Sequence, residues 1–173
     1  MTPIYFFGYG ANRSKTRLRD ILGHDPLGGK SAILSNSTLA IQTLDQIPDE
    51  PRQVLEKVWG EKFRSYTVKD GKGEVVGVVW QLDEHDLDLL KKWEYIGEWR
   101  QLAEVKVKTA DGKEVKALTD RAPEGSLTKE VVDGLNYEDN LNKEGMKPET
   151  QEDDEYRIKE LRKVREELNF MIL

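Results

Sequence analysis

The chain has 173 residues and a formal net charge of −6 at pH 7. It is long enough to bury a core as one domain, and it lacks the basic surplus that a duplex or phosphate-backbone partner would need. The absence of cysteine excludes a disulfide framework, a thiolate nucleophile and a Cys-based metal site. No apolar run approaches the length that spans a bilayer, and Met1-Thr2-Pro3-Ile4 lacks the charged and apolar regions of a secretory signal. A cytoplasmic, single-domain protein (1–173) with no nucleic-acid or membrane partner is the expectation.

Ile4–Phe7 reads as a first strand, apolar on both faces and so central in a sheet. It breaks into Gly8-Tyr9-Gly10-Ala11-Asn12, a tight turn whose free backbone N–H groups would cradle a carboxylate or an oxyanion. Ser14 caps a helix that runs to about Leu22, with Gly23 past its end. Gly28-Gly29-Lys30 reads as a turn. Ala32–Leu34 and Leu39–Ile41 read as strands interrupted by Ser35-Asn36-Ser37-Thr38. Asp49 ahead of Pro51 suits a helix cap, and Val54, Leu55, Val58 and Trp59 recur at helical spacing before Gly60.

The middle of the chain is rich in β signals. Ser65–Lys69, an Asp70-Gly71-Lys72-Gly73 turn and Val75–Leu82 read as a hairpin. The unalternating Val75-Val76-Gly77-Val78-Val79-Trp80 belongs in a sheet interior. Asp83 caps a helix through about Tyr95, with Glu84 and Asp86 at its positive end. Leu102–Val107, an Ala110-Asp111-Gly112-Lys113 turn and Glu114–Leu118 make a second hairpin. A short helix is expected around Leu127–Leu135, then an acidic linker over 142–155 and a C-terminal helix over 156–173. That last helix carries Ile158, Leu161, Val164 and Leu168 on one side, a stripe that packs on the domain or forms a dimer contact. The sum is an α+β fold with strands at the centre and helices outside.

Glu94 is the foremost candidate for chemistry. Leu87, Leu90 and Trp93 mark the buried side of its helix, and Glu94 follows Leu87 by seven residues and Leu90 by four. A carboxylate on the margin of an apolar face is costly unless it is hydrogen-bonded or functional. Partial burial suits one that must take a proton and return it. The plainer reading is an exposed glutamate paired with Lys91. Gly8-Tyr9-Gly10 is not a dinucleotide fingerprint, because Arg13 stands where a third glycine is needed. Asp83-Glu84-His85-Asp86 is explained as an acid-rich helix start, and His24 by its place past a helix end. Neither a zinc site nor a Ser-His triad has support, and no metal or cofactor is expected.

Two stretches together resemble a known family. Tyr5-Phe6-Phe7-Gly8-Tyr9-Gly10-Ala11-Asn12 resembles the Tyr-Gly-Ser-Asn loop that follows the first strand in the γ-glutamylcyclotransferase-like (AIG2/BtrG-type) family. Gly77-Val78-Val79-Trp80-Gln81-Leu82, then Leu89-Leu90-Lys91-Lys92-Trp93-Glu94 and Ala103–Val107, resemble that family's second block. There a Gly-Val-Val-Trp-like strand leads into a helix ending in the catalytic glutamate, and a further strand follows. The resemblance covers roughly residues 4–122. It implies a small mixed β-barrel with flanking helices, and cyclisation of a γ-glutamyl amide to 5-oxoproline with release of an amine or amino acid. No cofactor is implied.

In that resemblance Glu94 falls on the family's catalytic glutamate, a general acid/base. Phe7, Gly8, Tyr9, Gly10, Ala11 and Asn12 fall on the substrate-binding loop, and Tyr137 matches a substrate-contacting tyrosine of the C-terminal part. The chain also departs from the pattern. Ala11 replaces the usual serine, Arg13 stands where an aliphatic residue is common, and Trp99 takes about the place of a family tyrosine that contacts substrate. Two expectations follow. One is an enzyme, monomeric or homodimeric, acting on a small γ-glutamyl substrate. The other, motivated by Ala11 and Trp99, is a non-catalytic small-molecule binding or regulatory module on the same fold.

Overall fold

The computed structural model describes residues 2–128, 130–136 and 151–168. In chain order these form β1 (Ile4–Gly8), α1 (Lys15–Leu22), β2 (Leu27–Thr43), α2 (Asp49–Trp59), β3 (Arg64–Leu82), α3 (Glu84–Trp93), β4 (Gln101–Thr109), β5 (Glu114–Arg121), β6 (Glu130–Val132) and α4 (Gln151–Glu167). Single 3-10 turns lie at Ala11–Arg13 and Leu44–Gln46. The strands hydrogen-bond in the order β3-β1-β5-β4-β2, and β2 returns to β3. Five strands therefore close into a barrel, with β6 added on β2. β1 runs parallel to β5 and the other pairings are antiparallel, so the barrel is mixed. This is the small α+β barrel with flanking helices that the sequence leads one to expect.

β2 and β3 are longer than their sequences suggest. The expected turn at Gly28-Gly29-Lys30 lies inside β2, where Gly28 and Gly29 have φ of 91° and 88° and the register against β3 slips. The expected hairpin turn at Asp70–Gly73 does not reverse the chain either. Both halves of β3 run antiparallel to β2, from Leu27↔Gln81 to Thr43↔Arg64. Between Ser35↔Glu74 and Ser37↔Asp70, residues 71–73 oppose Asn36 alone, which has φ 54°. Glycines that would serve a turn here serve a bulge, which bends the two strands around the barrel. Residues Glu130–Val132 are not helical as expected. They form β6 against Leu39–Ile41, where two β-branched residues complete an otherwise open strand edge.

β1 is apolar on both faces because both are covered. Phe6 packs outward with Leu18, Leu90, Trp93, Ile158 and Leu161 of the helices. Phe7 points into the barrel with Leu39, Val75, Val79 and Val107. α1 starts at Ser14, whose Oγ accepts from the Arg17 N–H at 3.2 Å, and ends at Gly23 with φ 82°. α2 begins with Asp49 as its first residue after the cap Pro48, rather than with Asp49 as cap. α3 ends at Trp93, two residues before the expected Tyr95, which has φ 52°. α4 takes in residues 151–155, so that part of the expected acidic linker is helical, while 142–150 lie outside the described residues. Its Ile158, Leu161 and Val164 are buried against α1, α2 and α3. Among the described residues no helix is long and apolar enough to cross a membrane.

α1 and α3 are joined at one corner by His24, whose Nε2 lies 2.6 Å from Asp86 Oδ1. Asp86 is buried, and its other oxygen accepts from the Asp83 N–H that begins α3. The hydrogen bond to Asp86 raises the histidine's pKa above 6.5. The folded protein thus holds this proton more tightly than the unfolded chain. The stabilisation is complete below about pH 6.5 and is lost as the pH rises through the higher folded value. His24→Gln should lower the melting temperature at pH 5.5 and leave it near that of the wild type at pH 9. Equal losses at both values would contradict the charged pair.

Candidate active site

β1 and β5 are parallel, so their C-terminal ends emerge at the same end of the barrel, and the end of α3 meets them there. A Cβ on Gly8 would lie 2.3 Å from the carbonyl oxygen of Asn12, so the chain can fold back after β1 only with glycine at this position. The turn closes with Arg13 N–H to Gly10 O and Ser14 N–H to Ala11 O, each 3.1 Å. Trp80 of β3 donates its indole N–H to Asn12 O at 2.8 Å, which pins the turn to the barrel. Among the described residues the amides of Gly10, Ala11 and Asn12 donate to no other group. Such amides can receive a ligand oxygen.

Asn12 is buried and its side chain is fully engaged. Nδ2 donates to Glu94 Oε1 at 2.9 Å, and Oδ1 accepts from Arg17 Nε at 3.1 Å. Arg17 Nη2 reaches the same Glu94 oxygen at 3.5 Å. The Glu94 side chain is 14% exposed, which leaves it reachable but held. Lys91, its plainer partner in sequence, instead lies 3.9 Å from Asp88. On the far side of Glu94, Arg165 of α4 donates Nη2 to the Trp93 carbonyl at 2.9 Å. Its guanidinium sits 4.4 Å from the ring centroids of both Trp93 and Tyr95, the residues flanking Glu94.

Two residues that the sequence does not single out complete the cluster. Arg100 is 2% exposed, just ahead of β4. It donates to Ser65 Oγ at 2.7 Å, Tyr66 O at 2.9 Å and Tyr9 OH at 3.3 Å, and lies 3.9 Å from Asp120 Oδ2. Asp120, near the end of β5, is buried. Burial above all, and then the charge of Glu94, pushes its carboxyl up to about 7 against the pull of Arg100 and Arg17. Tyr9 OH donates to the Asp120 carbonyl at 2.7 Å, and burial keeps that phenol protonated far above its ordinary range. No sequence signal marks Asp120; that it is the one buried charged residue of β5 emerges only from the fold.

Arg100→Met should cost about 3–5 kcal/mol of stability, as expected when one partner of a buried ion pair is removed. The cost should shrink at pH 5, where Asp120 is protonated without help. Urea unfolding at pH 5 and pH 8 checks this, and a pH-independent loss would count against it.

The structure brings Gly8, Gly10, Ala11 and Asn12 together with Glu94. The Phe7 side chain is sealed in the barrel, with its carbonyl accepting from Thr119 Oγ1 at 2.7 Å. The Tyr9 ring also points inward. Trp99 packs with Leu44, Ile47, Leu55 and Tyr95 and donates its ring N–H to Gln42 Oε1 at 3.0 Å. Tyr137 lies outside the described residues. Among the described residues no group of three or more His, Cys, Asp or Glu side chains is placed to hold a metal ion.

No family model matches the chain. No curated protein matches it significantly. Solved structures do. A gamma-glutamyl cyclotransferase superposes with a TM-score of 0.65 at 20% identity, over 91% of this chain and 99% of its own. An uncharacterized protein from Homo sapiens gives 0.64 at 20% identity, over 92% and 99%. An AIG2-like protein from Mus musculus gives 0.51 at 17% identity, over 87% and 97%. The chain has the γ-glutamylcyclotransferase-like fold.

Proposed function

We propose that the protein is a γ-glutamyl cyclotransferase-like enzyme of the cytoplasm that converts a small γ-glutamyl amide to 5-oxoproline and releases an amine or amino acid. The observation that carries this reading is the Glu94 carboxylate, partly buried yet reachable, and joined through Asn12 to the glycine turn. In the reaction the substrate's α-nitrogen attacks its own γ-carbonyl carbon. A nucleophile tethered in this way already has the entropic advantage of an intramolecular reaction, so positioning and one proton carrier go far. Glu94 takes a proton from the attacking nitrogen and returns it to the departing one. The amides of Gly10, Ala11 and Asn12 receive the oxygen that becomes negative. These are backbone groups, so the missing hydroxyl at Ala11 does not remove them.

A second reading rests on Trp99, whose N–H is spent on Gln42. With that group turned inward and no hydroxyl at position 11, the fold would bind a small molecule without turning it over. A panel of γ-glutamyl amino acids, γ-glutamylamines and an isopeptide fragment, assayed for 5-oxoproline, separates the two. Release by the wild type and none by Glu94→Gln supports the enzyme. Binding of 5-oxoproline with no cleavage of any compound supports the module.

A further inference from the structure

Asp120 is a buried carboxyl that the reaction above does not use. Among the described residues no side chain donates a hydrogen bond to it, and its nearest cation, Arg100 Nη1, stays 3.9 Å from Oδ2. The charged and titratable groups that face it are Glu94 from the end of α3, Arg100 ahead of β4, Tyr9 after β1 and Arg17 from α1. Pairing with the buried Arg100 gives Asp120 a structural role, but a carboxyl that served that pair alone would gain nothing from a second acid at the same end of the barrel. Asp120 stands at the end of β5, which runs parallel to β1, and the 2.7 Å hydrogen bond from Tyr9 OH to its carbonyl ties it to the glycine turn that Asn12 joins to Glu94. The charge of Glu94 makes a buried carboxyl there more costly still.

The proposed reaction moves two protons, more than one carboxylate holds at a time. A γ-glutamyl amide at neutral pH presents an α-ammonium. Ring closure leaves that nitrogen with one hydrogen, and a basic amine departs as an ammonium. Two protons are therefore lost at one nitrogen and two gained at the other. A single carboxylate would have to carry both in turn.

We propose that Asp120 is the second proton-carrying carboxyl of the site, meeting the substrate's α-ammonium together with Glu94 and handling one of the two protons. The proposal rests on the γ-glutamyl reading. In the free protein Asp120 holds a proton near neutral pH. Entry of the ammonium displaces that proton to solvent and leaves Asp120 as a carboxylate facing the cation. Glu94 takes the first proton as the new N–C bond forms at the γ-carbon. Asp120 takes the second from the ring nitrogen of the tetrahedral adduct. As the carbonyl re-forms and the bond to the departing nitrogen breaks, Glu94 gives its proton to that nitrogen. The free amine then takes its last proton from solvent, which balances the one displaced on binding, and Asp120 is left protonated as it began.

The test uses Asp120→Asn in the full chain. It is expected to lower kcat by about 10²-fold, the low end of what a positioned proton carrier supplies. It should also remove the limb of the kcat/KM profile near pH 7, the region where Asp120 ionises. A variant with the pH profile and kcat of the wild type overturns the proposal. A second measurement does not depend on turnover: carbon-13 NMR titration of the Asp120 carboxyl. Its midpoint should fall in Glu94→Gln and fall on addition of γ-L-glutamyl methylamide. A midpoint unmoved by either overturns the pairing and the amine contact. If the wild type cleaves no γ-glutamyl amide, the enzymatic reading fails and the proton-carrying step fails with it. A midpoint lowered by the methylamide in that case still supports Asp120 as the amine-binding carboxyl.

Discussion

Glu94→Gln is expected to reduce release of 5-oxoproline by about 10²–10⁴-fold, the usual worth of a positioned acid or base. The fold should survive, because glutamine has the same size and its Oε1 can still accept from Asn12 Nδ2 at 2.9 Å. What is lost is the charged contact with Arg17 at 3.5 Å, about 1 kcal/mol or less for a pair that solvent still reaches. The fall should appear in kcat with KM little changed, since the proton is needed as the bonds rearrange rather than for binding. Initial rates across substrate concentration, with a melting curve on the same sample, check both halves. Equal turnover in the variant would remove Glu94 from the chemistry.

Gly8→Ala is expected to be the most damaging single methyl group near the site. Its Cβ would stand 2.3 Å from Asn12 O and 2.6 Å from Asn12 C, which are backbone atoms that no rotamer change can move aside. Forcing atoms into a filled space costs about 1–3 kcal/mol, and the upper end is expected here because the whole turn must shift. For a chain of this size about 3 kcal/mol corresponds to roughly 6–12 °C in Tm. Activity should fall further than stability, because Asn12 is the link between the turn and Glu94. Gly77→Ala presses on the same spot from β3, 2.4 Å from Gly8 O, and should behave alike. Calorimetry with residual activity measured well below Tm distinguishes a displaced site from an unfolded one.

The parts of this fold that the sequence makes legible are those decided within a few residues. Ser14 and Gly23 bracket α1, Asp83 starts α3, and Asp111-Gly112 turns β4 into β5. The long partners β2 and β3 are misread for one reason. Ser35–Thr38 and Asp70–Gly73 each have the local chemistry of a turn, but they lie opposite one another, and pairing across the barrel overrides the local preference. The same limit applies to the site. Glu94 and the Gly8–Asn12 turn stand at the ends of periodic segments and can be found from them. Arg100 and Asp120 cannot, because whether a strand-end residue faces inward depends on how the barrel closes. The stripe of α4 does pack on the domain, as its spacing suggests, and the acids before it are ambiguous because a helix start and a solvated loop have the same composition.

The grip of Arg165 on the Trp93 carbonyl bears on when the candidate site is complete. The turn, Glu94 and Asp120 can all be present while the chain is still being made, yet the support behind Glu94 arrives with α4, more than seventy residues after it. Contacts that join distant parts of a chain form late, after the local ones. A ribosome-bound intermediate that stops short of Arg165 would thus carry every group of the proposed site and still lack the support behind the end of α3. Competence should be acquired in one late step, with the docking of the helix, rather than growing gradually with the barrel.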